Sequence, residues 1–301
     1  MLGELGFLII SASRRTDIPA FYPTWFMNRI REGFCFVPNP FNPKQVSRVS
    51  LLPNKVDAFV FWSKNPEPML KFLDELDSRG FIYYFQYTLN DYPKVFEPSM
   101  PNVNSRIDTF KTLSNRLGSE RVLWRYDPII ISSVTDYDFH ASTFERLAYA
   151  LRGLTRRVVI SIVDLYRKTG KRMAELTNHK DIQRMAMQRG SPGMLELLSR
   201  IAETASAVGM KPLSCAEDYS KLGIQAGSCI DSELINSIGG RSSAKKDPGQ
   251  RIKCRCTVSR DIGMYDTCVH GCPYCYSTGE QGIARQRYSE HNPELPMLAR
   301  R

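Results

Sequence analysis

The chain has 301 residues, 42% of them hydrophobic and 24% charged, an ordinary globular composition with enough apolar material for one large α/β unit or two average domains. No stretch approaches 18 apolar residues, so a transmembrane helix is not expected. The net charge is +10, but the basic residues are scattered rather than blocked. They read as a solvated surface in preference to a nucleic-acid-binding patch.

The opening "MLGELGFLIISASRRTD" lacks a basic leading region, and its apolar run is short. It does not read as a signal peptide, and a cytoplasmic location is expected. Six runs of strand length then follow along the chain: 7–13, 57–63, 81–89, 121–127, 157–164 and 210–216. They are rich in Val, Ile, Phe and Tyr and apolar nearly throughout, which predicts strands buried on both faces of a parallel sheet. Helical stretches lie between them at 24–33, 66–80, 104–118, 138–152 and 194–208, the first two closing on Gly33 and Gly80. Six βα units predict an α/β fold, either a six-stranded partial (β/α) barrel or a doubly wound sheet. Residues 237–250, rich in Gly, Ser and Lys, predict a loop.

Folds of this kind build their sites at the C-terminal ends of the strands. Here those ends read "SRRTD" (13–17), "WSKNP" (62–66), "QYTLN" (86–90), "WRYDP" (124–128), "VDLYRK" (163–168) and "SCAED" (214–218). Six polar endings on one rim predict a polar pocket. Lys64, Arg125 and Asp127 are the candidate catalytic residues. Arg14, Arg15, Lys64 and Arg125 point to an anionic group on a substrate or cofactor, or else pair with Asp17, Asp127 and Asp164.

Seven of the eight cysteines lie in the last third of the chain, and in a cytosolic protein such clusters more often mean metal than disulfides. Cys35, alternating with aromatics in "GFCFVPNP", reads as a buried hydrophobe. "TCVHGCPYCY" (267–276) holds Cys268, Cys272 and Cys275. Three thiolates on one short loop suit three irons of a [4Fe–4S] cubane, leaving the fourth iron open to an outside ligand. The other reading is a zinc knuckle, with His270 as fourth ligand. Cys215, Cys229, Cys254 and Cys256 form a second group, able to close a site around another [4Fe–4S] cluster or a structural zinc.

The C-x3-C-x-aromatic-C pattern, with Tyr274 as the aromatic, resembles the radical S-adenosylmethionine (SAM) motif. More widely, the segments "SASRRTDIPAFY", "NPFNPKQVSRVSL", "FWSKNPEPML", "YYFQYTLN", "WRYDPII" and "CRCTVSRDIGMYDTCVHGCPYCY" resemble the family called domain of unknown function 1848, over nearly the whole chain. The radical SAM resemblance implies an open cluster whose free iron binds the methionine part of SAM, with Tyr274 near the adenine. In that superfamily the cysteines follow the first strand, whereas here they follow the sixth. A circularly permuted radical SAM barrel is therefore expected, with a partial barrel over 1–216 and a cysteine-rich cluster-binding extension over 217–301, packed as one unit. The first strand would then lie beside the cluster, making Ser11, Ser13, Arg14 and Asp17 candidate cofactor contacts.

The expected function is a radical SAM enzyme: reductive cleavage of SAM gives a 5′-deoxyadenosyl radical that acts on a small-molecule or nucleotide-type substrate. An external electron donor such as flavodoxin or ferredoxin is implied. The alternatives are a non-catalytic zinc-binding module, a closed-cluster redox protein in which a distant carboxylate or histidine, His291 being one candidate, supplies the missing ligand, and a DNA-lesion lyase similar to spore photoproduct lyase.

Overall fold

The computed structural model describes residues 8–42, 44–164, 167–177 and 190–300. The chain opens with β1 (Ile9–Ala12), α1 (Ile18–Phe21) and α2 (Pro23–Glu32), then a hairpin of β2 (Phe34–Pro38) and β3 (Val46–Ser50). The alternation continues through β4 (Ala58–Ser63), α3 (Leu73–Ser78), β5 (Tyr83–Thr88), α4 (Val103–Leu117), β6 (Val122–Ile129) and α5 (Tyr137–Ala150). It ends with β7 (Arg157–Ile162), α6 (Arg167–Thr177), α7 (Pro192–Ala207) and β8 (Lys211–Cys215). The last stretch carries β9 (Gln225–Gly227), α8 (Ser232–Ser237), β10 (Arg260–Asp261) and α9 (Gln281–Ser289).

All six expected strands form. With two short additions they make one parallel sheet of eight, ordered β10-β1-β4-β5-β6-β7-β8-β9. The expected helices form as well. α4, α5 and α7 start at Asn102, Asp136 and Ser191, whose side chains accept from backbone N–H groups of the first turn. The hairpin β2–β3 pairs antiparallel outside the main sheet and was not expected from the sequence.

From β1 to β9 the strand order follows the chain without a reversal. A doubly wound sheet reverses direction at a switch point. Right-handed crossovers that always advance the same way place their helices on one face. The core divides accordingly. Ile10, Phe59, Phe61, Tyr83, Phe85 and Trp124 face the helices, against residues such as Phe26, Phe110 and Phe144. Ile9, Val60, Tyr84 and Leu123, the alternate positions, face Cys229, Ile230, Leu234, Cys254 and Cys256. The cysteine-rich stretch thus covers the other face of the sheet, and its β9 and β10 form the two edges. Among the described residues no helix is long and apolar enough to cross a membrane.

Candidate functional site

The C-terminal ends of the strands open onto a cavity of about 300 Å³. All seven clustered cysteines line it, together with Arg14, Asp17, Lys64, Arg125 and Asp127. The two cysteine groups, separated in sequence by the stretch between Cys256 and Cys268, therefore share one chamber.

The three-cysteine loop follows β10, which pairs with β1. Asp261 ties the two together: its carboxylate accepts from Ser11 Oγ at 3.0 Å, Ser13 Oγ at 2.8 Å and the backbone N–H of Arg14 at 2.8 Å. Gly263 is obligatory here, because a Cβ would lie 2.0 Å from Ser13 Oγ. Gly271, between Cys268 and Cys272, has φ +82°, and a Cβ there would meet Pro98 Cγ at 2.8 Å. Arg172 of α6 donates to the backbone carbonyls of Pro273, Cys275, Thr278 and Gly279, so one guanidinium gathers the far side of the loop.

Two buried carboxylates anchor the loop to the sheet. Asp17 accepts from His270 Nε2 at 2.7 Å and from the backbone N–H of Lys64 at 2.8 Å, while its other oxygen caps α1. Glu97, 1% exposed, accepts from Tyr274 OH at 2.5 Å and Lys64 Nζ at 2.7 Å, with Arg106 Nη1 at 3.4 Å. Burial pushes the Glu97 carboxyl up, but Lys64 and Arg106 outweigh it and hold the group down to about 2. Neither Glu97 nor Arg172 stands out in the sequence. Glu97 sits in the aperiodic "YPKVFEPSMP", and its partners lie far away along the chain.

Burial, and then the neighbouring Cys275, pushes the Cys268 thiol well up; burial takes Cys272 to about 12. These thiols are protonated in the metal-free fold, so a soft metal must displace protons to bind. The donor set suits iron–sulfur chemistry: three soft ligands on one glycine-shaped loop, with open cavity before them. Among the described residues no three Cys, His, Asp or Glu side chains converge closely enough to hold a metal ion. A cubane keeps its thiolates farther apart than a single ion does, because each binds a different iron.

The second group is tighter. Cys229 and Cys215 Sγ atoms lie 3.5 Å apart, and Cys256 interacts with both Cys229 and Cys254. The hydrogen bond with Cys256 outweighs burial and holds the Cys254 thiol down to about 7, the readiest of the four to ionise. Arg125 Nη1 donates to Cys229 Sγ at 2.9 Å and to Gln86 at 3.2 Å, while its other nitrogens grip Asp127. Burial opposes the Arg125 cation, but Asp127 and the Cys229 and Cys215 thiols more than compensate. Asp127 also accepts from Ser161 Oγ.

The structure thus gathers the candidate catalytic residues Lys64, Arg125 and Asp127 at the cavity, with Ser13, Arg14, Asp17 and Tyr274. Ser11 is fully buried on Asp261 and is not part of the wall. Arg15 turns to Gly263 O and the Tyr265 ring. His291 packs on Tyr22 and bonds to Leu298 O. Leu165 and Tyr166, in the ending expected after β7, lie outside the described residues.

Comparison with known families decides the affiliation. Residues 9–277 match the profile of the family described as domain of unknown function, DUF1848. The chain belongs to it. The DUF1848 match begins at β1 and runs through the last cysteine of the loop, so it takes in both cysteine groups and every strand of the sheet. No curated protein matches the chain.

Proposed function

We propose that this DUF1848 protein is a radical SAM enzyme. Cys268, Cys272 and Cys275 would hold a [4Fe–4S] cluster facing the cavity, with SAM and substrate side by side within it. The observation that carries this reading is the meeting of the C-x3-C-x-aromatic-C loop with the polar strand ends around one chamber of about 300 Å³. The sheet is read as a circularly permuted partial barrel. The unreversed strand order supports this, as does β10, which brings the cysteine loop to β1 from the far end of the chain.

When bound, the cluster would supply one electron for cleavage of SAM to methionine and a 5′-deoxyadenosyl radical. The chain's own residues have simpler tasks. Glu97 fixes Tyr274 and Lys64 against the loop. Asp17 fixes His270, and with Ser13 it lines the end of β1 where cofactor contacts are expected. The apolar sheet and the cysteine-rich cover exclude water and stray hydrogen donors. Arg125 and Asp127 neutralise each other beside Cys229 and offer a polar wall to substrate. The electron would come from a flavodoxin or ferredoxin, and the protein would work in the cytoplasm.

Cys215, Cys229, Cys254 and Cys256 would close a second site around another [4Fe–4S] cluster or a structural zinc, and metal analysis of the reconstituted protein separates the two. The test of the enzyme reading is anaerobic incubation of reconstituted protein with dithionite and SAM. Formation of 5′-deoxyadenosine, lost in Cys272→Ala, is expected; its absence from a protein that holds iron and sulfide would overturn the proposal.

A further inference from the structure

Five residues that line the cavity each carry a buried polar atom without a hydrogen-bond partner: Arg14 Nη2, Thr16 Oγ1, Trp62 Nε1, His270 Nδ1 and Gln281 Nε2. Arg14 Nη2, Trp62 Nε1, Gln281 Nε2 and Thr16 Oγ1 all carry hydrogens to donate, and a buried donor left unpaired is costly, so their gathering around one cavity fits an occupant rich in acceptor oxygens. They fall into two sets. His270 belongs to the three-cysteine loop, Gln281 starts the helix after it, and Thr16 packs near Gly263. Arg14 and Trp62 belong to the other end. The Arg14 guanidinium lies 5.6 Å from the centroid of the Trp62 ring, and that of Arg125, which donates to Cys229, lies 5.0 Å from the same ring.

The cations around the cavity also differ in pairing. Lys64 is bound to Glu97, Arg125 to Asp127 and Arg251 to Asp164. Among the described residues, Arg14 has no carboxylate within salt-bridge distance, and its Nη2 has no partner. A guanidinium offers a planar fork to two oxygens of a carboxylate or phosphate, and the indole N–H can only donate.

We propose that Arg14 and Trp62 form an oxyanion-binding subsite at the four-cysteine end of the cavity, taking the carboxylate or phosphate of a small-molecule substrate. The subsite rests on the cavity being the substrate chamber. It moves Arg14 from the cofactor to the substrate and leaves Thr16, His270 and Gln281 at the cofactor end.

The test is calorimetric titration of the anaerobically purified protein with inorganic phosphate and, separately, succinate, at fixed ionic strength. Retention of SAM is measured in parallel by equilibrium dialysis. One probe is expected to bind and so to identify the oxyanion. Arg14→Ala should weaken that probe about tenfold or more, about 1.4 kcal/mol. Trp62→Phe, which keeps the ring and removes the N–H, should weaken it severalfold. Both variants should retain SAM within about twofold and keep the wild-type circular dichroism spectrum. Failure of both probes to bind, or an Arg14→Ala variant within about twofold of wild type, overturns the subsite. So does an Arg14→Ala variant that loses SAM while keeping the probe. Phosphate or succinate binding that depends on Arg14, in a protein that ignores SAM, would sink the radical SAM reading and leave the subsite standing.

Discussion

Glu97→Gln tests how the cysteine loop is held. The change keeps the shape of the side chain and removes its charge. The carboxylate is 1% exposed and faces the Lys64 ammonium at 2.7 Å and the Arg106 guanidinium at 3.4 Å; Arg106 is itself 2% exposed. Removing one partner from a buried ionic group leaves charge uncompensated and costs about 3–5 kcal/mol. The carboxyl group gives a second route to the size. It is held down to about 2 against an ordinary 4.5. At 1.36 kcal/mol per unit this is about 3 kcal/mol in favour of the ionised form. That contribution is complete above pH 4.5 and is lost as pH falls from 4.5 towards 2. Urea denaturation at pH 7 should show the variant about 3 kcal/mol less stable. The wild-type stability lost between pH 4.5 and 2 should be correspondingly smaller in the variant. Tyr274 also loses an ionised acceptor, so the variant should retain less metal after reconstitution. A cost below about 1 kcal/mol with an unchanged acid limb would show that no buried ion network anchors the loop.

Two further outcomes follow from single residues. His140 is fully buried between Tyr126 OH at 2.8 Å and Ile130 O at 2.9 Å, and burial lowers its pKa to about 4. A histidine held neutral adds stability above its unfolded pKa of about 6.5 and loses it as pH falls towards 4, a change of about 3 kcal/mol. His140→Gln should flatten that part of the stability profile; an identical profile would contradict the assignment. Gly271→Ala must place a Cβ at φ +82° and 2.8 Å from Pro98 Cγ. It should cost about 2 kcal/mol and lower metal retention at the three-cysteine loop, read by iron analysis; full retention would show that the loop geometry does not matter.

The six strands were legible because each is buried on both faces, so its apolar run is unbroken. The helices were legible from caps and spacing. The hairpin β2–β3 was missed because "FVPNPFNPKQV" scatters proline and asparagine through the turn and hides the alternation on either side. Cys35, read as a buried hydrophobe, is fully buried on that hairpin. β10 is two residues long, below any periodicity, yet it is what carries the loop to β1. The rim residues could be found from the strand ends. Their pairing could not, because Lys64–Glu97 and Asp17–His270 join segments that only the sheet brings together. For the same reason the four rim cations looked alike in sequence, and only the fold separates Arg14 from the others.

The central claim is an open iron–sulfur cluster at Cys268, Cys272 and Cys275. Its most direct test is EPR of the anaerobically reconstituted, reduced protein, with and without SAM, alongside iron, sulfide and zinc analysis. An open cluster there gives about four irons per chain and an EPR signal that changes on SAM addition and disappears in Cys268→Ala. Stoichiometric zinc with no EPR signal after reconstitution, or a cluster signal indifferent to SAM, would contradict it.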